Sequence, residues 1–343
     1  MKELILVTGG TGYIGSHTAV ELINEGYEVV IVDNLANSTT DSLDGIEQIT
    51  GIRPRFEEFD LCDNPRLEQF FQDYPNLKAI IHFAAYKAVG ESVEKPLMYY
   101  RNNLNSLINL LECMDKYKVP SIVFSSSCTV YGQPKELPVT ENAPILPAES
   151  PYGNTKQICE EILHDCIRSM KGSIQAIALR YFNPIGAHPS ALIGELPRGI
   201  PNNLIPFVTQ TAAGIRPVLK VFGNDYNTPD GSAIRDYINV VDLAAAHVTS
   251  VSRLIGMKNK SALEVFNLGT GKGSSVLEVV KTFEQVTGVK VNHTLVGRRA
   301  GDIEQTWADT TKANQVLGWK AKRTLGETLL SAWNWEKRLR GIS

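Results

Sequence analysis

Histidine and cysteine are scarce in this chain, and neither falls into a metal-binding pattern. Six histidines show no ligand spacing, and five cysteines in 343 residues form no Cys-x-x-Cys, which excludes a zinc ribbon or a thioredoxin-like motif. The cysteines stand at 62, 113, 128, 159 and 166; an odd, scattered set fits reduced thiols better than a disulfide framework. Cys159 and Cys166, seven apart on an expected helix, read as buried small hydrophobes. Long apolar runs are also missing, so no membrane span is expected, and Leu4–Val7 is too short for a signal-peptide core. Nor is there an excess of one charge: 34 Lys+Arg against 37 Asp+Glu leave −3, which favours neither nucleic acid nor an anionic membrane surface as partner. These absences leave a soluble, cytoplasmic protein as the expectation.

What the chain does have, in its first half, is alternation. Expected strands at Leu4–Val7, Val29–Val32, Arg55–Phe59, Ala79–Phe83, Ile122–Ser125 and Ala176–Leu179 are separated by helical patterns at 13–25, 65–73, 96–117 and 151–170. Strands apolar along most of their length, with helices between them, predict a parallel sheet covered on both faces. After Tyr181 the texture changes. Gly, Pro and Asn crowd 181–235, where long loops are expected, before Val241–Leu254, Val265–Leu268, Ser275–Thr287 and Leu325–Arg338 resume regular patterns. The predicted fold is α/β: a Rossmann-type doubly wound parallel sheet over 1–180, with a smaller loop-rich C-terminal α/β lobe over 181–343. Some segments of that lobe are expected to return to the first domain.

Thr8-Gly9-Gly10-Thr11-Gly12-Tyr13-Ile14-Gly15 follows the first strand and opens the first helix. Missing side chains let such a turn approach a pyrophosphate, whose charge the helix N-terminus favours. Asp33 ends the second strand, 18 residues after Gly15, where a carboxylate accepts hydrogen bonds from an adenosine ribose and repels a 2′-phosphate. No arginine lies between Asp33 and Arg53, so NAD is favoured over NADP. Asp60-Leu61 reads either as an adenine contact or as a turn aspartate and its neighbour. His82-Phe83-Ala84-Ala85 supplies small residues where a cofactor would cross the sheet edge, with His82 itself a packing residue. Lys87 could reach a nicotinamide ribose or be a surface lysine.

The catalytic signal is Ser150-Pro151-Tyr152-Gly153-Asn154-Thr155-Lys156, read with Ser125-Ser126-Ser127 upstream. Tyr and Lys four apart on a helix share a face, roughly 6 Å apart along the axis. An ammonium so placed can hold a phenol near ionisation, as needed to take a proton from a sugar hydroxyl. Three Tyr-x-x-x-Lys patterns occur, but Tyr74–Lys78 encloses Pro75, and Tyr131–Lys135 encloses Gly132 and Pro134. Only Tyr152 follows a helix-start signal, with Ser150 as N-cap and Pro151 in the first position. A serine run can be merely a polar strand terminus; ahead of this pair, Ser127 can also bond to Tyr152 and to a sugar oxygen.

Together these motifs resemble the UDP-glucose (UDP-galactose) 4-epimerases, extended short-chain dehydrogenase/reductases. The resemblance runs nearly end to end, through Ala88-Val89-Gly90-Glu91-Ser92, Thr129-Val130-Tyr131-Gly132, Arg180-Tyr181-Phe182-Asn183-Pro184, Ile200-Pro201-Asn202-Asn203-Leu204, Phe222-Gly223-Asn224-Asp225-Tyr226, Arg235-Asp236-Tyr237-Ile238 and Arg298-Arg299 with Gly301-Asp302. It implies NAD as cofactor, Tyr152 as base, Lys156 lowering its pKa and binding the nicotinamide ribose, with Tyr152 also against the cofactor, and Ser127 with Thr129 relaying the proton. It extends the cofactor set (Gly9, Gly12, Gly15, Asp33, Asp60, Leu61, Lys87) to Tyr13, Ile14, Asn34, Asn37, Ser38, Phe83, Ala84, Asn102, Tyr181 and Phe182. For the UDP-sugar it implies Phe182, Asn183, Asn203, Leu204, Lys220, Phe222, Arg235, Tyr237, Arg299 and Asp302, besides Ser127 and Tyr152. Taken singly, Arg235 and Asp302 also read as surface ion-pair partners. Thr306 stands where glucose- and galactose-restricted members of the family often carry a bulky tyrosine, which would leave room for a 2-acetamido group. A homodimer through 96–117 and 151–170 is implied as well. A 4,6-dehydratase of the same fold is disfavoured because Ser127-Cys128-Thr129 lacks the acids that drive elimination. A non-catalytic NAD sensor is disfavoured because the Tyr/Lys pair is kept.

Overall fold

The computed structural model describes residues 2–170, 172–299 and 302–342. Its first half alternates as β1 (Leu4–Thr8), α1 (Tyr13–Asn24), β2 (Glu28–Asp33), α2 (Asp41–Thr50), β3 (Arg55–Glu58), α3 (Asn64–Asp73), β4 (Leu77–His82), α4 (Val89–Glu94), α5 (Pro96–Tyr117), β5 (Ser121–Ser127), α6 (Pro151–Ser169) and β6 (Gln175–Tyr181). The helix starts follow local chemistry. Asp63 caps α3 by accepting from Arg66 N at 3.2 Å, and Ser150 caps α6 by accepting from Gly153 N at 3.2 Å, with Pro151 in the first turn.

The second half contributes β7 (Asn183–Ile185), α7 (Leu204–Ala212), β8 (Leu219–Phe222), β9 (Ile234–Arg235), β10 (Tyr237–Asn239), α8 (Val240–Ile255), β11 (Leu263–Leu268), β12 (Ser274–Ser275), α9 (Val276–Thr287), β13 (His293–Val296), β14 (Gln305–Thr306) and α10 (Leu325–Arg340). Seven strands form one sheet in the order β3-β2-β1-β4-β5-β6-β11, every pairing parallel. Strand order reverses between β1 and β4, and ligands of such sheets lie at the carboxyl ends beside that point.

Alternation along the strands decides the layers. Ile5, Val7, Val29 and Ile31 pack with Val20 of α1 and Leu243 of α8, whereas Leu4, Leu6, Val30 and Val32 pack with Phe70 of α3, Leu107 of α5 and Leu163 of α6. Each such side chain, once buried, contributes roughly 1.5–3 kcal/mol. The C-terminal segment has its own apolar cluster, in which Ile205 and Val208 of α7 meet Phe283 of α9 and Trp333 of α10.

Three differences from the sequence reading stand out. The 181–235 region is less loop-like than its composition suggests, since α7 and three short strands interrupt it. Its Pro206 sits in the first turn of α7, where a missing N–H does no harm. The sequence pattern gave no sign of α2, because Gly45 breaks its apolar face; a Cβ there would stand 2.5 Å from Ile193 Cγ2. And Cys166, two helical turns beyond buried Cys159, is only partly covered. No cysteine is disulfide-bonded. Among the described residues no helix is long and apolar enough to cross a membrane, and no cluster of three or more His, Cys, Asp or Glu side chains is arranged to hold a metal.

Candidate active site

The glycine turn sits at the switch point. Gly9 adopts φ +69° and donates to Val32 O at 2.8 Å, fastening the turn to β2. A Cβ on Gly15 would lie 2.3 Å from Gly9 O, so only glycine lets α1 start this close to the turn. No side chain caps α1 at Gly12, which leaves its first N–H groups, at Tyr13 and Ile14, to an anion. Asp33 is buried at the end of β2; Oδ1 accepts from Leu35 N (3.0 Å) and Ser38 Oγ (3.2 Å), and Oδ2 from Thr11 N (3.2 Å). Each oxygen can still accept another donor. Asp60 is a turn aspartate: Oδ1 closes a turn on Cys62 N at 2.8 Å, while Oδ2 accepts from Asn34 Nδ2 at 2.9 Å beside the β2 end.

The other cofactor candidates spread along the same edge. Leu61 is buried, Asn37 exposed, and Asn102 donates to Asn103 Oδ1 at 3.0 Å. Ala84 N donates to Thr8 Oγ1 at 3.4 Å, and Phe83 packs on the His247 ring at 4.6 Å between centroids. Lys87 is exposed, with Nζ 4.0 Å from Glu195 Oε1 and 5.9 Å from the Tyr13 ring centroid. Tyr13 itself donates to Gly186 O at 2.6 Å. His82 is a packing residue: its Nδ1 lies 2.8 Å from Thr8 Oγ1, and burial lowers its pKa to about 3.

At the end of β5, Ser127 Oγ accepts from Thr129 N at 3.2 Å. The Thr129 hydroxyl is buried with no hydrogen-bond partner, a polar atom left for something that enters the site. Burial pushes the Tyr152 phenol up to about 12, with the Ser127 hydroxyl pulling it partly back. Lys156 is tied to the end of β5: its ammonium donates to Ser125 O at 2.6 Å and rests 4.8 Å from the Phe124 ring centroid. Burial lowers the Lys156 pKa to about 8. The Tyr181 hydroxyl bonds to Ser125 Oγ, and Phe182 is buried beside it.

Behind these groups lies a network that motif reading missed. Glu160 accepts from Ser126 Oγ and from Arg180 Nε (2.9 Å), and Arg180 Nη1 donates to Tyr131 OH at 3.0 Å. Glu160 follows Lys156 by four residues on α6, and that spacing was the available signal.

The C-terminal segment faces the same edge through short strands. β7 and β10 pair Asn183 with Tyr237, and Asn183 N donates to Asp236 O at 2.9 Å. β9 pairs with β14, which sets Arg235 beside buried Thr306. Asp236, fully buried, accepts from Thr270 N (2.8 Å), Thr270 Oγ1 (2.7 Å), Gly271 N (3.1 Å) and Ala308 N (3.2 Å). Arg235 is not the ion-pair partner considered from sequence; Nη1 donates to Ile234 O at 2.8 Å. Asp302 is, since Arg299 Nη2 donates to its Oδ1 at 2.7 Å. The Arg299 guanidinium also lies 5.7 Å from the ring centroid of exposed Phe222. Lys220 points outward from β8, and Asn203 precedes Leu204 at the start of α7 with its amide on Glu195 Oε1. Gly301 lies outside the described residues.

A family profile described as GDP-mannose 4,6 dehydratase matches residues 6–331. The UDP-glucose 4-epimerase of Bacillus subtilis is 52% identical over 332 residues, covering 97% of this chain and 96% of the relative. The chain belongs to the UDP-glucose 4-epimerase family. Among solved structures, a Stenotrophomonas maltophila UDP-glucose 4-epimerase with bound NAD and formylated UDP-arabinopyranose is similar at TM-score 0.95 and 45% identity, over 99% of this chain and 100% of that one. The Bifidobacterium longum enzyme in complex with NAD+ and UDP follows at 0.94 and 46%, with the same coverage.

Within the epimerase family the profile's dehydratase description marks common ancestry of fold, because the β5 end carries Ser127-Cys128-Thr129 and no carboxylate. Buried Asp33 and the uncapped α1 match what the ribose and pyrophosphate of NAD require. One sequence argument needs amending. No arginine follows Asp33 in the chain until Arg53, yet the fold delivers Arg198 to the same loop, where its guanidinium donates to Leu35 O (3.2 Å), Ala36 O (3.3 Å) and Ser38 O. The preference for NAD therefore rests on Asp33 itself.

Proposed function

We propose that this protein interconverts UDP-galactose and UDP-glucose by 4-epimerisation, with NAD held through the catalytic cycle. The observation that carries the reading is the cluster of buried Ser127 with half-buried Thr129 and Tyr152 at the carboxyl edge of β5, next to an NAD-type turn. NAD supplies, when bound, a reversible hydride acceptor, so that a 4-keto sugar can form and be reduced again from its other face. Tyr152 exchanges a proton with the sugar 4-oxygen, and Ser127 and the unpartnered Thr129 hydroxyl hold that oxygen and relay the proton. With its pKa at about 12, Tyr152 keeps its proton until positive charge reaches the ring. Lys156, one turn along α6, is the group to supply it once its ammonium leaves Ser125 O. Arg235 and Arg299 suit diphosphate oxygens because a guanidinium is permanently charged and forks to two acceptors. Arg299 must first exchange Asp302 for the diphosphate, which frees Asp302 for ribose hydroxyls. Asn183, Asn203, Leu204, Lys220, Phe222, Tyr237 and Phe182 complete the sugar-nucleotide surface, and Asn34, Asn37, Ser38, Asp60, Leu61, Phe83, Ala84, Lys87, Asn102 and Tyr181 the cofactor surface.

Three finer points belong to the same reading. Thr306, paired with Arg235 and smaller than tyrosine, leaves volume for a 2-acetamido group, so UDP-N-acetylgalactosamine is a second substrate. The protein works in the cytoplasm. It is a homodimer: α5 and α6 pack together, and Leu97 (75% exposed) and Ile108 (37%) of α5 are left for a partner copy. Light scattering at micromolar concentration checks the last, and a monomer mass would refute it.

The deciding experiment incubates the purified protein, with no added cofactor, separately with UDP-galactose and UDP-N-acetylgalactosamine and resolves the products by anion exchange. Conversion of both to their gluco epimers is expected. Conversion of UDP-galactose alone would sink the Thr306 argument, and conversion of neither, even with NAD added, would sink the function.

A further inference from the structure

Residues 186–203 connect β7 to α7 without joining any strand or helix, yet they touch both flanks of the dinucleotide site. At one end Gly186 O takes the Tyr13 hydroxyl at the start of α1 (2.6 Å). In the middle Ile193 is buried in the core against the Gly45 face of α2, and Glu195 Oε1 approaches Lys87 Nζ at 4.0 Å. At the far end Arg198 reaches the loop after β2, 160 residues away in sequence, and donates to the carbonyls of Leu35, Ala36 and Ser38. That loop carries Asn34, Asn37 and Ser38 next to Asp33.

The loop needs holding. Leu35 adopts φ +55°, in the left-handed region that a leucine avoids. Such conformations persist where surrounding structure over-determines them. On its inner side the loop is tied by Leu35 N and Ser38 Oγ to Asp33 Oδ1, and by Ser38 Oγ to Thr11 Oγ1 at 2.7 Å. Beyond these it is tied by Asn34 Nδ2 to Asp60 Oδ2 at 2.9 Å and, through three of its carbonyls, by Arg198. A guanidinium suits the task because its rigid planar fork presents five N–H donors spread over several directions, whereas the donors of a lysine ammonium all sit on one nitrogen.

We propose that Arg198 is a latch: it fastens the 186–203 segment across the adenosine side of the dinucleotide site and thereby sets how slowly NAD leaves. The proposal rests on the NAD reading above and adds a residue to it. Arg198 acts through the backbone of the β2–α2 loop, so it is a positioning residue. Opening the latch frees the outer side of the loop, and the cofactor-facing side chains of Asn34, Asn37 and Ser38 lose their fixed arrangement.

The test compares wild-type holoenzyme with Arg198→Ala and Arg198→Lys. Each is passed through gel filtration in NAD-free buffer, NAD per protomer is counted after heat release, and the release rate is followed with an NAD-consuming glycohydrolase. Release from Arg198→Ala is expected to be about tenfold faster, a change corresponding to about 1.4 kcal/mol. Its turnover then becomes dependent on added NAD, with the apparent KM for NAD rising more than kcat falls. Arg198→Lys, which keeps a cation but loses the fork, is expected between the two. Release from Arg198→Ala at the wild-type rate would overturn the latch alone, including the case where the variant only melts at a lower temperature. A wild type that retains no NAD and needs none would overturn both the latch and the cofactor reading beneath it.

Discussion

The two halves of the site are built on different plans. On the dinucleotide side the anchoring groups are buried and bonded within the fold: Asp33 to the N–H groups of Thr11 and Leu35, and His82 to the Thr8 hydroxyl. On the sugar-nucleotide side Arg235, Tyr237, Lys220 and Phe222 sit on two-, three- and four-residue strands, and the loops beside them carry charges tied to one another, as in Arg299–Asp302 and Arg298–Asp225. A buried, fully bonded group keeps its position whether or not a ligand is present, whereas an exposed ion pair is worth ~0–1 kcal/mol and exchanges easily. The contrast suits an enzyme that keeps one ligand and turns over the other.

The sharpest way to test the contrast is at its catalytic junction. Tyr152→Phe removes only the phenolic oxygen and is expected to lower kcat by about 10²–10⁴-fold while NAD remains bound; turnover near wild type would remove Tyr152 from its role. A smaller effect is expected on the sugar-nucleotide side. Arg235→Ala should raise KM for the UDP-sugar by roughly 10–100-fold, in keeping with ~1.5–3 kcal/mol for a charge-assisted bond. Arg299→Ala should raise it less, because Arg299 must give up Asp302 to engage. Equal losses at the two positions would show that the surface pair carries no such cost.

Smaller again is the dependence on pH. The Lys156 ammonium has a pKa lowered to about 8 by burial, so the cation that acts on Tyr152 is lost as pH rises through 8. A profile of kcat/KM against pH for the holoenzyme should show an alkaline limb there, and that limb should be absent from the residual activity of Lys156→Met. The last prediction concerns stability rather than turnover, at His82. Its folded pKa of about 3 lies below the ordinary 6.5, so between those values the unfolded chain binds a proton that the folded one does not. Stability therefore falls as pH drops through that window, by up to about 1.4 kcal/mol per pH unit for one proton. His82→Asn should make the fall shallower in denaturant titrations; an unchanged slope would mean that His82 is charged in the fold.

Legibility in the sequence followed the same divide. The strands of the first half and the starts of α5 and α6 were readable because burial on both faces demands apolar runs, and caps such as Ser150 and Pro151 announce themselves locally. The glycine turn, Asp33 and Tyr152 were readable for the same reason. The sequence could not show that Lys156 rests on Ser125 O, nor that Arg299 spends its charge on Asp302. Those are choices among nearby partners, made by distances of a few ångströms. Nor could it place Arg198 at the Leu35–Ser38 loop, since nothing in the sequence marks a meeting between residues 160 apart. The position of Val265–Leu268 as the seventh strand of the sheet was likewise a matter of topology, although the strand itself was expected.

The strand that bears Thr306 is held almost without its side chain. Its backbone pairs with β9, and the next turn is anchored through Ala308 N to Asp236. Arg235 lies on the neighbouring strand and has its own backbone tie, to Ile234 O. On the function proposed above, substrate range and uridine diphosphate affinity are then carried by different strands, and a lineage can change the sugars it accepts without first losing its hold on the nucleotide.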